Sequence, residues 1–243
     1  MLYMLNGKIF NVQRFCLDDG EGIRTTVFFS GCPLGCKWCH NPEGFIKGDD
    51  FTIEKIMAEI LKDKEYYVQS GGGVTFSGGE VCLQADFATE LAKECKRENI
   101  SVIMETSGYC SGEKFLKLAK ECKKVYFDIK LLTEKEFKKW TKGDMQVVLS
   151  NLSLLEKNKV ATVIRCPIIG GVNDKVSHYK RIGGLIKDLL VVQRVDLLPY
   201  NDLCVSKYQR INKEFNYDFY VPNNLEQAKT IIESISNKEV VIC

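Results

Sequence analysis

Three cysteines, Cys32, Cys36 and Cys39, fall in a C-x3-C-x2-C pattern flanked by Gly31, Pro33 and Gly35. From one loop their thiolates can reach three corners of an iron–sulfur cubane. Such clusters are normally held by four thiolates, so a three-cysteine loop leaves one iron open to an outside ligand. Small glycines let the backbone turn around a cluster and approach its sulfurs. A zinc site with His40 or a distant cysteine as fourth ligand is the alternative, although no second compact pair accompanies the motif. A thiol redox pair of Cys36 and Cys39 would leave Cys32 unexplained.

The chain carries eleven cysteines; of the eight outside the motif, Cys82, Cys95, Cys110, Cys122, Cys166, Cys204 and Cys243 are scattered and read as packing thiols. The opening MLYMLNGKIF lacks the basic start and cleavage site of a leader, which favours metal ligation and burial over a secreted disulfide framework and makes the cytoplasm the expected location. The two histidines, His40 and His178, are too few for a His-centred hydrolase or dinuclear metal site. His178 reads as a surface residue of a helix.

Positioning the cysteine loop requires a sizeable scaffold, and 243 residues at 45% hydrophobic composition suit one fairly large domain. The expected unit is 1–243, with a core over about 20–200 and a C-terminal extension over about 201–243. Apolar and β-branched runs at Thr25–Ser30, Val74–Ser77, Ser101–Glu105, Val125–Ile129, Val160–Arg165 and Val195–Leu198 predict six core strands. Between them run helical stripes: Ile53, Ile56, Met57, Ile60 and Leu61 behind a cap at Thr52; Phe87, Leu91 and Cys95; Phe115, Leu118 and Ala119; Val148, Leu152 and Leu155; Ile182, Leu185, Ile186 and Leu189. Strand and helix in alternation imply parallel strands with right-handed crossovers. The reading is an α/β fold, a partial (β/α)6 TIM-like barrel, with loops after the strand ends forming the site. A flat doubly wound sheet is the alternative. The net charge of +2 gives no global attraction to nucleic acid or anionic membrane, and no run approaches a bilayer span.

The segment Gly31 to Pro42, GCPLGCKWCHNP, with Trp38 before the third cysteine, resembles the signature of the radical S-adenosylmethionine (SAM) superfamily. The resemblance implies one 4Fe-4S cluster on Cys32, Cys36 and Cys39, whose open iron is chelated by the amino and carboxylate groups of SAM. Reductive cleavage of SAM then yields methionine and a 5'-deoxyadenosyl radical. In such a site the protein's own task is placement, electron supply and exclusion of water.

Further segments resemble the glycyl radical enzyme activating enzymes within that superfamily. Asp19 to Arg24, DGEGIR, is similar to the branch's DGPGIR, with Glu21 in place of proline; Asp19 and Arg24 are expected to dock the partner or organise the site. Gly71 to Glu80, GGGVTFSGGE, is similar to the segment ending in GGE, where Gly78 and Gly79 allow close backbone approach and Glu80 can meet the SAM amino group. Glu105, Thr106 and Asp128 match positions that bind a monovalent cation in pyruvate formate-lyase activators, with Glu105 where aspartate is usual. Asp128 with Lys130 or Arg165 as a salt bridge is the alternative. Asp128, Lys130, Trp38 and His40 are expected near SAM, and Arg165 on its carboxylate through a two-bond fork. Ile169 to Asp174 resembles the adenine-contacting GxIxGxxD region, and Leu198-Pro199-Tyr200-Asn201 resembles LPYH with Asn201 in place of histidine.

The absence of cysteines between Cys39 and Cys82 excludes the two-cluster insert of some relatives. The resemblance therefore implies a monomeric activating enzyme of the compact kind. Its partners would be a glycyl radical enzyme, whose backbone glycine gives up hydrogen, and a flavodoxin or ferredoxin-type electron donor. A radical SAM enzyme acting on a small molecule and a zinc-binding interaction module are the rival readings.

Overall fold

The computed structural model describes residues 5–243; Met1 to Met4, the start of the opening segment, lie outside the described residues. The chain divides into two compact units. One comprises Met1–Pro33, Asn41–Thr106 and Cys110–Val125, the other Leu34–His40, Ser107–Tyr109 and Tyr126–Cys243.

In the first unit the elements are β1 (Asn6–Cys16), β2 (Arg24–Phe29), β3 (Asp49–Thr52), α1 (Ile53–Ile60), α2 (Lys64–Ser70), β4 (Gly73–Gly78), α3 (Ala85–Arg97), β5 (Ser101–Thr106) and α4 (Gly112–Ala119). Strands β2, β4 and β5 pair in parallel, Thr25 opposite Val74 and Val74 opposite Val102. They are buried nearly throughout, as strands covered on both faces must be. Thr25 is tolerated there because its hydroxyl donates to Asp63 at 2.9 Å. Asp63, 1% exposed, also takes two guanidinium bonds from Arg14, and that guanidinium holds the carboxyl below the usual carboxylate range. Thr52 caps α1 as expected, accepting from Lys55 N. Strands β1 and β3, which the sequence reading did not anticipate, add antiparallel edges beyond β2. In β1 only Gly7, Ile9 and Cys16 are buried, so it has no apolar run to betray it.

The second unit holds β6 (Lys124–Asp128), whose first two residues belong to the first unit, then α5 (Glu134–Thr141), α6 (Met145–Lys157), β7 (Thr162–Ile168), α7 (Val176–Ile186), β8 (Val192–Pro199), α8 (Leu203–Arg210), α9 (Leu225–Ser236) and β9 (Glu239–Ile242). Strands β7, β8 and β9 are parallel. The segment taken for an extension thus contributes an edge strand. All six expected core strands are present, their ends shifted by three residues at most. His178 corrects the sequence reading: it is buried, because the buried face of α7 runs from His178 and Tyr179 to Ile182 and Ile186. No helix among the described residues is long and apolar enough to cross a membrane.

Candidate active site

In the first unit the site is built by backbone contact. Cys32, half-buried, follows Gly31, which sits at φ 93° and donates to the carbonyl of Gly44 at 2.7 Å. The Gly31 carbonyl accepts from Glu80 N at 2.7 Å. A Cβ on Gly79 would stand 2.1 Å from that carbonyl oxygen, and one on Gly78, at φ 115°, 2.4 Å from the backbone of Phe29. The two glycines are thus required where the exit of β4 meets the start of the cysteine loop. Glu80 is fully buried and accepts from Thr106 Oγ1 at 2.6 Å and Cys82 N at 3.3 Å.

Glu105 uses its extra methylene to accept from Ser77 Oγ at 2.6 Å. Glu105 and Thr106 are successive residues of β5, so their side chains point to opposite faces of the strand. Glu105 and Thr106 therefore cannot both offer side chains to one cation; a cation on the Glu105 face could meet only the backbone of Thr106.

Arg24 corrects the docking expectation. It is 1% exposed, with Nε donating to Thr75 Oγ1 at 2.7 Å and Nη2 to the Val74 carbonyl at 2.6 Å, so its guanidinium organises the loop instead of meeting a partner. Asp19, half-buried, accepts from Thr26 Oγ1 at 2.5 Å, while its carbonyl takes Thr75 Oγ1 at 2.7 Å. Glu21, in place of proline, pins the same loop through an ion pair with Lys124 at 2.5 Å.

In the second unit the site is built from charge and aromatic packing. Cys36 and Cys39 are half-buried, with Cys39 N donating to Cys36 O at 3.2 Å. Their turn is tied to the end of α5 by Gly35 N to Thr141 O at 2.7 Å and Lys37 N to Trp140 O at 3.1 Å. Trp38, 6% exposed, packs on Trp140 and Phe219. Burial pushes the Cys36 thiol up to about 12, with Lys130 opposing and Cys39 and Asp128 adding to the rise.

The Lys130 ammonium pairs with Asp128 at 2.7 Å, one of the two salt bridges considered for that carboxylate. Burial alone would lower the Lys130 pKa, but Asp128 and the cysteines together raise it. Arg165 is half-buried, its guanidinium carbon 5.7 Å from the Tyr126 ring centroid, and β7 continues three residues past it. His40 is exposed and offers its carbonyl to Lys207 at 3.1 Å.

Asn173, 1% exposed, binds the Lys130 and Pro167 carbonyls and takes Ile169 N, so the GGVND segment braces the β7 exit. Asn201 is exposed and accepts from Leu203 N at 3.2 Å at the start of α8.

Three features were invisible in the sequence. Trp140 and Phe219 meet Trp38 only through folding. The Tyr208 phenol is raised by burial and by Cys39, Cys204 and Cys36, which brings α8 to the cysteine turn. Cys82 and Cys110, read as separate packing thiols, lie with the Glu80 carboxylate within 4.8 Å of one another. Cys95, Cys166 and Cys204 are buried as expected, as is Cys16, which the sequence reading passed over; Cys243 is exposed.

A family model described as the radical SAM superfamily matches residues 26–181, and the chain belongs to that superfamily. It is 36% identical over 214 residues to the pyruvate formate-lyase-activating enzyme of Clostridium pasteurianum, covering 87% of this chain and 90% of that one. It is 31% identical over 294 residues to the trans-4-hydroxy-L-proline dehydratase activating enzyme of Clostridioides difficile, covering 95% of this chain and 97% of that one. Among solved structures, a radical SAM methyltransferase from Sphaerobacter thermophilus superposes with a TM-score of 0.68 at 16% identity, covering 98% of this chain and 77% of that one. Within the superfamily the chain is one of the glycyl radical enzyme activating enzymes, with the partial (β/α)6 barrel fold of radical SAM proteins and their 4Fe-4S and SAM chemistry.

Proposed function

We propose that this enzyme generates a glycyl radical on a partner enzyme, with Cys32, Cys36 and Cys39 holding its cluster. The donor set fits: three half-buried thiols on one loop, two of them beside the Lys130 cation that favours thiolate. When bound, the cluster and SAM supply a 5'-deoxyadenosyl radical that abstracts hydrogen from the partner's glycine. The residues of this chain do the placing. Gly78 and Gly79 let the β4 exit lie against the cysteine loop, Glu80 and a neighbouring carbonyl receive the SAM amino group, and Arg165 receives its carboxylate. Lys130 and Asp128 balance charge beside Cys36 and Cys39, while Trp38 and the His40 backbone shield that turn. Asp19 is the remaining docking candidate, and a monovalent cation would sit on Glu105 with the Thr106 backbone.

The observation that carries the reading is the alignment with the Clostridium pasteurianum enzyme, which spans most of both chains. The 294-position alignment to the dehydratase activator is longer than this 243-residue chain, so that relative carries segments absent here. A pyruvate formate-lyase is therefore the favoured partner class. We further propose a single radical SAM domain over 1–243 with core 20–200, acting as a monomer in the cytoplasm with a flavodoxin or ferredoxin-type donor.

The test measures iron content and 5'-deoxyadenosine formation. Cys32→Ala, Cys36→Ala and Cys39→Ala each abolish SAM cleavage, whereas Cys95→Ala and Cys122→Ala retain it. Full activity in any of the first three removes that cysteine from the ligand set. A glycyl radical signal by electron paramagnetic resonance on a co-incubated partner, absent without SAM, separates this function from action on a small molecule.

A further inference from the structure

We propose that Cys82 and Cys110 form a reversible dithiol–disulfide site beside Glu80. Cys82 lies on the single turn Val81–Gln84 and is 1% exposed; Cys110 is half-exposed, just before the Ser111 cap of α4. Both sulfurs and the Glu80 carboxylate lie within 4.8 Å of one another. A disulfide needs its sulfurs about 2.05 Å apart, so closure asks for an approach of at most about 3 Å, within the range of side-chain rotation. Two thiols placed side by side in one buried cluster are more than the ordinary packing role that fits the remaining buried cysteines.

Exposure divides the roles. Cys110 is the thiol that a low-molecular-weight disulfide can reach. It loses its proton to solvent and attacks one sulfur of the oxidant, releasing one thiol and leaving a mixed disulfide. Cys82 then attacks the Cys110 sulfur, its proton passing by way of the adjacent Glu80 carboxylate to the departing thiolate. Two protein thiols are oxidised and one external disulfide is reduced to two thiols. The hydrogen bond with Cys110, burial and the Glu80 charge push the Cys82 thiol well above its ordinary value, which keeps it inert toward oxidants in solution. With three donors of this kind zinc is the competing occupant.

The site also bears on SAM. Both sulfurs lie within 4.8 Å of the Glu80 carboxylate, so rotating them together into a disulfide changes what that carboxylate packs against and disturbs its position. This coupling rests on the reading of Glu80 as the SAM amino-group ligand. Loss of one such bond predicts about a three- to tenfold fall in SAM affinity.

The test treats anaerobic holoenzyme with oxidised glutathione, alkylates it, digests it without reduction and maps linked peptides by mass spectrometry, with iron content followed throughout. A Cys82–Cys110 linked pair that dithiothreitol removes and that Cys110→Ser lacks is the expected result, together with lowered SAM affinity in the wild type alone. A Cys110–glutathione adduct with no internal link overturns the proposal. So does stoichiometric zinc that is lost in Cys82→Ser and blocks oxidation. The Glu80 reading is judged separately: if Glu80→Gln leaves the affinity of reduced protein unchanged, that reading fails while the linked peptide still decides the site. A linked pair with unchanged affinity, in an enzyme whose Glu80→Gln variant does bind weakly, overturns the coupling.

Discussion

The two units position their candidate site residues by different physics. The first relies on backbone: glycines at the β4 exit, main-chain bonds at Gly31, and side chains such as Glu80 and Arg24 that are bonded to the strands beside them. The second relies on charge and rings: a Lys130–Asp128 pair beside two thiols, and a cluster of Trp38, Trp140 and Phe219 at the cysteine turn. A contact built from backbone leaves no room for an added atom and has no titrating group of its own. A charge-built region accepts changes of shape and responds to protonation and to loss of a counter-ion.

The largest effect expected from that contrast is at Gly79. Its Cβ would meet backbone at 2.1 Å, and no flexible side chain can yield. Gly79→Ala should displace the start of the cysteine loop and reduce iron incorporation to about a tenth or less, the scale of a core overpacking cost of ~1–3 kcal/mol concentrated on one loop. Gly71→Ala is the matched control: at φ 70° with nothing within 4 Å, it incurs backbone strain of about 1 kcal/mol and should load iron normally. Equal loading in both variants would remove the backbone argument.

In the charge-built region, Lys130→Met leaves Asp128 without its partner at 2.7 Å. The pair is 13% and 25% exposed, so the loss should fall near the lower end of the range for breaking a buried pair, about 3 kcal/mol, read by urea unfolding. A variant as stable as wild type would mean that the pair is positional only. Somewhat smaller is the pH effect of His178. Burial lowers its pKa from 6.5 to about 4, with Glu136 opposing and Arg181 and Lys175 reinforcing. The unfolded chain therefore binds the extra proton, so stability is present above the unfolded value and falls as pH drops from 6.5 towards 4. Between pH 7 and pH 5 the loss should be about 2 kcal/mol, and His178→Phe should abolish it. Asp63 in the first unit, held below 3.8, adds nothing over that interval.

The same division decides what the sequence revealed. Backbone-built features are local and leave motifs: Gly78-Gly79-Glu80, Asp19 to Arg24 and the six core strands were all legible, because glycine, β-branched runs and turn residues mark conformation directly. Charge-built and packed features join distant segments. Nothing in the spacing of Cys82 and Cys110, or of Trp38 and Phe219, announces that they meet. Strand β1 escaped because an edge strand with three buried residues has no hydrophobic period. Arg24 misled for a related reason: its motif was visible, but whether an arginine faces a partner or its own sheet depends on what the strand packs against.

Arg165 gives the finest discrimination between the two modes, because a guanidinium can act by shape as well as by charge. It is half-buried, with its carbon 5.7 Å from the Tyr126 ring centroid, so the ring holds the guanidinium by a cation–π contact while its fork remains the group proposed for the SAM carboxylate. Asp128 accepts from Lys130 at 2.7 Å. Arg165→Lys retains the charge while losing the fork and changing the cation–π contact with Tyr126. Charge-assisted bonds contribute on the order of 1.5–3 kcal/mol each. Losing one of two corresponds to roughly a tenfold or greater fall in SAM affinity, since about 1.4 kcal/mol is tenfold. Iron content should stay unchanged, because lysine keeps the positive charge at this position on β7 while the cysteines proposed as ligands are carried on their own loop. If affinity holds, point charge suffices and the second unit acts by electrostatics alone. If iron is lost as well, Arg165 supports the fold through Tyr126, and the carboxylate contact must be sought elsewhere in that unit.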